Sequence, residues 1–199
     1  MQAHRKRAGR ARPLQVLVER WDAQFPLPGD PTSTVPAWSF PLVEALREQR
    51  EFLRVPAGRC AVLAPTNQYA ADVPSALHLH GEPNELVVHG RPITNANVVK
   101  VLTWHNAKGF EFDVVIVLLP DWQPPRVGWS QVSPDEVWES VESWPRVPYV
   151  AMSRATRSLV VVRPATGRSP LLDGFADELW DVRTWSAGAA PPAEVDLPF

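Results

Sequence analysis

Residues 98–120, VVKVLTWHNAKGFEFDVVIVLLP, decide the fold. Val98, Val99, Val101 and Leu102 make one apolar strand, Thr103, His105, Lys108, Gly109 and Glu111 follow in a polar turn, and Val114–Leu119 is a second, wholly apolar run. A run that short and that apolar suits a central parallel strand buried on both faces. In open α/β sheets, ligands gather outside the carboxyl ends of such strands. The spacing Thr-x-His-x-Ala-Lys-Gly-x-Glu-Phe therefore predicts hydroxyl, imidazole, ammonium and carboxylate groups around one sheet edge. That is the pattern of a site, not of packing.

Outward from this core, the chain alternates between strand and helix signals. Phe40–Leu53 is amphipathic, with Leu42, Val43, Leu46 and Phe52 on one side and Glu44, Arg47, Glu48, Arg50 and Glu51 elsewhere. Cys60–Ala64 reads as a short buried strand. Thr66–Asn67 turn into a helix around Val73–Leu79, with Asp72 as N-cap, Pro74 in its first turn and Gly81 beyond its end. Leu86–Val88 is a brief strand. Ser133-Pro134-Asp135-Glu136 is a helix start with a capping box, and Val137, Trp138, Val141 and Trp144 supply the apolar side of the helix that follows. Tyr149–Thr156 reads as a short helix, Ser158–Val162 as a strand and Asp173–Val182 as a last helix. Strands alternating with helices, without hairpin signals, call for an α/β layer with a parallel sheet.

The bulk numbers bound the function. In 199 residues, 45% hydrophobic and 21% charged, one soluble domain is expected. A net charge of −2 leaves room for a local nucleic-acid patch but not for a basic surface. The single cysteine, Cys60, excludes an internal disulfide and fits a reducing, cytoplasmic setting. No segment approaches the ~18 apolar residues of a membrane span. The 22 prolines concentrate in 26–41 and 191–198, which reads as linker and tail. The organisation expected is a basic, Pro-rich leader over 1–36, one domain over 37–185, and a flexible Pro/acidic tail over 186–199. His78, His80 and His89 lack a matching carboxylate or thiolate pattern, so no metal site is expected.

Taken together, TxHxAKGxEF (103–112) and YVAMSRATRSLVVV (149–162) resemble the fifth and sixth motifs of superfamily 1 helicases of the UvrD/Rep/PcrA type. CAVLAPTNQYA (60–70) is similar to the strand and turn opening that family's second RecA-like motor domain. The resemblance covers roughly residues 40–165. It implies a three-layer RecA-like α/β domain, with a mainly parallel central sheet and flanking helices. It also implies roles. Thr103, His105 and Lys108 would grip single-stranded DNA, holding phosphate oxygens without reading sequence. Glu111, with Gly109 in the same turn, would meet the ribose of ATP. Arg154 would reach the γ-phosphate, where a planar, permanently charged fork stabilises the charge of phosphoryl transfer. Tyr149 would pack the helix presenting Arg154. Among the departures from the family pattern, Trp104 stands where a small or aliphatic residue is usual and could offer a stacking face. Pro65 replaces a polar or basic residue, and the large accessory domain that many relatives insert near residues 81–98 is missing.

What is missing matters as much. There is no G-x-x-x-x-G-K-[ST], so nothing cradles the phosphates or positions Mg²⁺. The only Asp-Glu pairs, 135–136 and 177–178, do not end apolar strands. The expectation is therefore the carboxyl-terminal half of an ATP-dependent DNA helicase, inactive alone. ATP and Mg²⁺ would bind only once another chain supplies the first RecA-like motor domain. The rival is a non-catalytic module that holds single-stranded nucleic acid or docks onto a repair assembly. The end of the tail, Glu194–Phe199, resembles the acidic Pro-Phe tip of bacterial single-strand-binding proteins, which would imply docking to a replication or repair protein. Read without the family context, Arg154 is a helix-surface cation, Glu111 a loop carboxylate, His105 a satisfied histidine and Lys108 a solvated lysine.

Overall fold

The computed structural model describes residues 12–27, 30–88, 93–121, 146–166 and 177–186. Nine strands and three α-helices run through them. In chain order they are β1 (Leu14–Val18), β2 (Gln24–Leu27), β3 (Asp30–Pro36), α1 (Ser39–Leu53), β4 (Cys60–Ala64), α2 (Asn67–Leu79), β5 (Asn84–Leu86), β6 (Val99–Thr103), β7 (Phe112–Leu118), α3 (Arg146–Met152), β8 (Ala155–Pro164) and β9 (Asp181–Trp185). Seven strands form one sheet in the order β5-β6-β4-β7-β8-β1-β9, and every pairing in it is parallel.

The apolar runs are central because they are buried twice. Every residue of β4 and every residue from Val114 to Leu118 is 0% exposed. Alternate side chains go to opposite faces, as the two-residue period of a strand requires. Val62, Val101, Ile116 and Val160 meet Leu42 and Leu46 of α1 and Leu77 of α2 on one face. Leu63, Leu102, Val115 and Val161 meet Trp104, Ala151 and Trp180 on the other. The helix α1 ends where Arg54 turns left-handed at φ +52°, its N–H closing onto Arg50 and Glu51. Glu82, buried beyond the end of α2, takes Arg47 and Arg50 of α1 at 2.6 Å each and ties the two helices together. At the other margin of the sheet, Glu85 of β5 pairs at 2.9 Å with Lys100, opposite it in register on β6.

The structure corrects several sequence expectations. Leu14–Val18, assigned to a leader, is a strand within the sheet, between β8 and β9. Its partners lie far along the chain, so no local pattern announces them. A hairpin does occur: β2 and β3 pair antiparallel. The helix α2 starts at Asn67 and not near Asp72, because the Thr66 hydroxyl caps it, accepting from the Tyr69 N–H at 3.3 Å. Pro74 consequently lies inside that helix. The strand placed at Leu86–Val88 is Asn84–Leu86. Of the last helix, expected over Asp173–Val182, residues 173–176 lie outside the described residues, Asp177–Leu179 is a single 3₁₀ turn, and Val182 belongs to an edge strand. The helix α3 stops at Met152, and Thr156 already lies in β8. The helix expected after Ser133, His89 and the tail beyond residue 186 lie outside the described residues. Among the described residues no helix is long and apolar enough to cross a membrane, and no group of three His, Cys, Asp or Glu could hold a metal ion.

Candidate functional site

Because the sheet is parallel, residues that follow strands share one edge and residues that precede strands share the other. Thr103 is the last residue of β6 and Glu111 comes immediately before β7. The motif expected at one edge is therefore divided between two. Trp104–Glu111 carries the chain back across the depth of the sheet, and past β4, to reach the start of β7. Parallel strands are ordinarily joined by about a dozen residues or more. This crossover is shorter and uses one tight turn in place of a helix.

At the carboxyl edge the turn is built by its own backbone. The Ala107 N–H donates to the Thr103 carbonyl at 3.1 Å, Lys108 to His105 at 3.3 Å and Phe110 to Ala107 at 3.1 Å. The Thr103 hydroxyl accepts from the Asn106 N–H at 3.3 Å, and Thr103 itself is buried. His105 and Lys108 are exposed. Gly109 then takes φ +88°, a conformation that costs an L side chain about 1–2 kcal/mol, and the chain reverses toward β7. Trp104 does not offer a stacking face. It is 2% exposed, and its indole N–H donates to the Leu63 carbonyl at 3.3 Å. A large ring following an apolar strand finds the core before it finds solvent.

At the amino edge, Glu111 and Arg154 precede the neighbouring strands β7 and β8, and the Phe112 N–H donates to the Arg154 carbonyl at 3.0 Å. The two residues are brought together, with Glu111 exposed and Arg154 partly buried. The Arg154 guanidinium is occupied by its own chain. It donates to the Val150 carbonyl at 3.0 Å, the Ser153 hydroxyl at 3.0 Å and the Phe110 carbonyl at 3.4 Å. Tyr149 does not pack this helix with its ring, which is largely exposed. The backbone does the work: the Tyr149 carbonyl accepts from the Ser153 N–H at 2.9 Å.

A residue outside the motifs joins this edge. Arg59, immediately before β4, forms two bonds to Asp113 at 2.9 and 3.2 Å, and Asp113 also accepts from the Thr156 hydroxyl at 3.1 Å. The bonds from Arg59 hold the Asp113 carboxyl below its usual range against the opposing effect of burial, and the field of Glu111 adds to the forces raising the Arg59 pKa. Nothing in the sequence around Gly58-Arg59-Cys60 signals this, since the pairing is across strands. Cys60 itself is buried, and desolvation pushes its thiol up to about 11, which leaves it unreactive.

Residues 84–164 match the family model of the UvrD-like helicase C-terminal domain. No curated protein matches the sequence. Among solved structures, the C-terminal domain of a possible DNA helicase from Lactobacillus plantarum WCFS1 is similar at 22% identity and a TM-score of 0.55, over 86% of this chain and 85% of that one. The C-terminal domain of the DEAD-box protein Dbp5 aligns over 89% of this chain and 92% of its own, at 12% identity and a TM-score of 0.47. Residues 84–164 are thus similar to the UvrD-like helicase C-terminal domain, and the fold around them, a parallel sheet flanked by helices, is the α/β fold of a RecA-like helicase C-terminal domain.

Proposed function

We propose that this chain is the carboxyl-terminal motor half of an ATP-dependent DNA helicase or translocase, working with a first motor domain that lies outside these 199 residues. The observation that carries the reading is the division of one motif across the sheet. Glu111 and Arg154 share the amino edge, and the Thr103 turn lies at the carboxyl edge. Nucleotide and DNA strand can then be held at once on opposite edges, joined by the single crossover Trp104–Glu111.

In this reading Glu111 accepts from the ribose hydroxyl, and Gly109 lets the backbone reverse so that Glu111 arrives at the start of β7. Arg154 offers its fork to the terminal phosphate, after leaving the carbonyls of Val150 and Phe110 and the hydroxyl of Ser153. These residues fit one side of a nucleotide. The phosphate-cradling loop and the carboxylate that holds Mg²⁺ would come with the partner domain, and ATP with Mg²⁺, bound between the two, would supply the phosphates on which both domains close. At the other edge His105 and Lys108, exposed in one turn, contact phosphates, and the Thr103 hydroxyl adds a neutral bond, giving a grip indifferent to sequence. A cytoplasmic setting accompanies this reading.

The test is complementation. The pure chain should show no ATP hydrolysis. Adding a first motor domain that carries a phosphate-binding loop should restore it, and Arg154→Ala should abolish the gain. Hydrolysis by the pure chain would overturn the proposal. A second reading, a non-catalytic module that binds single-stranded nucleic acid or docks onto a repair assembly, is favoured by one observation: the Arg154 fork is already engaged in the lone chain. Filter binding separates the two. Strand binding without nucleotide or partner, lost in Thr103→Ala/Lys108→Ala, supports the module.

A further inference from the structure

Three neighbouring strands, β4, β7 and β8, begin side by side at the amino edge, and one polar network ties their starts together. Arg59, just ahead of β4, lays its guanidinium on Asp113 at 2.9 and 3.2 Å. Asp113 is the second residue of β7, and Thr156 is the second residue of β8. The Thr156 hydroxyl lies 3.1 Å from the Asp113 carboxylate and 3.1 Å from the Phe112 carbonyl, so its one proton serves two acceptors. The Phe112 N–H donates to the Arg154 carbonyl at 3.0 Å. Both backbone polar groups of Phe112 are thus engaged by the residues flanking Ala155, and Glu111 is the next residue back along the chain.

The register explains how Thr156 comes to be there. Phe112 faces Ala155 and Val114 faces Ser158, so β7 advances by two residues while β8 advances by three. Thr156 and Arg157 are accordingly exposed in succession, where a regular strand would alternate. A bulge of this kind re-aims a side chain, and bulges gather next to active sites. Here the group re-aimed is a hydroxyl, turned onto the start of β7. On β7 itself the Phe110 and Phe112 rings stack at 6.1 Å, and Glu111 between them is exposed. Little of this serves stability. The Arg59 side chain is half exposed, and an ion pair so placed adds little to folding. What a forked, two-bond contact does supply is direction.

We propose that Arg59, Asp113 and Thr156 form a clasp that sets the span between Glu111 and Arg154, which makes them positioning residues for the nucleotide. The inference rests on the reading of Glu111 as the ribose ligand and Arg154 as the phosphate ligand. A carboxylate accepts from a hydroxyl only over about 2.5–3.0 Å, so a small slide of β7 along β8 loses the ribose bond. The long side chain of Arg154 can follow such a slide. The clasp therefore acts mainly on Glu111.

The test compares ATP with 2′,3′-dideoxy-ATP, using the full chain complemented by a first motor domain that carries a phosphate-binding loop. The parent should prefer ATP in kcat/KM by about ten- to a hundredfold, the share of one bond to a charged acceptor, and Glu111→Ala should erase that preference. Arg59→Gln/Thr156→Val should cut it to about threefold or less, through KM more than kcat, and adding Glu111→Ala should change nothing further. Loss of turnover that is equal for both nucleotides, with the preference kept, is the mark of a merely structural role and would overturn the clasp alone. A preference that survives Glu111→Ala would overturn the ribose reading and the clasp with it. A second readout needs no partner. In the lone chain, Arg59→Gln/Thr156→Val should melt within a few degrees of the parent while its Phe112 amide exchanges hydrogen about tenfold faster. Unchanged exchange at Phe112 would overturn the clasp whatever the turnover shows.

Discussion

Replacing Arg154 by alanine separates two things this side chain does. In the lone chain it makes three bonds, at 3.0, 3.0 and 3.4 Å, to Val150, Ser153 and Phe110. Each such bond contributes about 0.5–1.5 kcal/mol net, the longest at the lower end, so the loss should total about 1.5–3.5 kcal/mol. For a chain of this size that corresponds to a fall in melting temperature of about 2–4 °C per kcal/mol. Thermal unfolding followed by tryptophan fluorescence would measure it, with Arg154→Lys losing less because charge and part of the bonding survive. In the complemented system the same substitution should lower turnover about 10³–10⁵-fold, as for other arginine fingers, or about 4–7 kcal/mol of barrier. The catalytic effect must therefore exceed the structural one. A melting temperature that collapses while complemented hydrolysis is unchanged would show Arg154 to be a structural tether, and the nucleotide role would fail with it.

Three other outcomes follow from the geometry. Lys108→Ala should lower single-stranded DNA affinity and flatten its salt dependence by about 0.7 in the log–log slope, the share of one phosphate contact; an unchanged slope in filter binding would place the strand elsewhere. His80, packed edge-on against Phe40 at 5.1 Å, has its pKa pulled below 6.5 by burial and then by Arg47, with Glu82 opposing. Its neutral form is the one the fold prefers, so stability should be full above pH 6.5 and decline as pH falls below it; His80→Leu should remove that component from melting curves taken at stepped pH. Gly58→Ala would put a Cβ 1.6 Å from the Ala96 carbonyl oxygen, which is backbone and cannot swing aside. Urea unfolding should show a loss of about 1–3 kcal/mol or more, and a neutral result would mean the loop before β6 moves freely.

The centre of the fold was legible because the chemistry there is local. Val114–Leu119 has no polar side chain to place, so it can only be buried on both faces, and Cys60–Ala64 follows the same logic. The margins were not legible. Leu14–Val18 earns its place in the sheet from β8 and β9, and a basic, proline-rich neighbourhood masks it. At the far end, Asp173–Val182 reads as a helix, whereas Asp181–Trp185 pairs with β1 as an edge strand. The residues of the candidate site were readable from their motifs, but not their arrangement. Spacing between Thr103 and Glu111 cannot say whether the chain turns at an edge or crosses to the other. Nor could it reveal that Trp104 is drawn into the core, or that Arg59 reaches Asp113 across the sheet.

The position of β1 has a consequence for how the molecule is made. Leu14 is paired with Val160 on one side and Asp181 on the other, so this strand leaves the ribosome long before either of its neighbours. Until then it is an unpaired apolar segment, a hazard of the kind that slows folding and invites aggregation. Fragments that begin at residue 37 should accumulate as inclusion bodies, because β8 would be born with a bare flank.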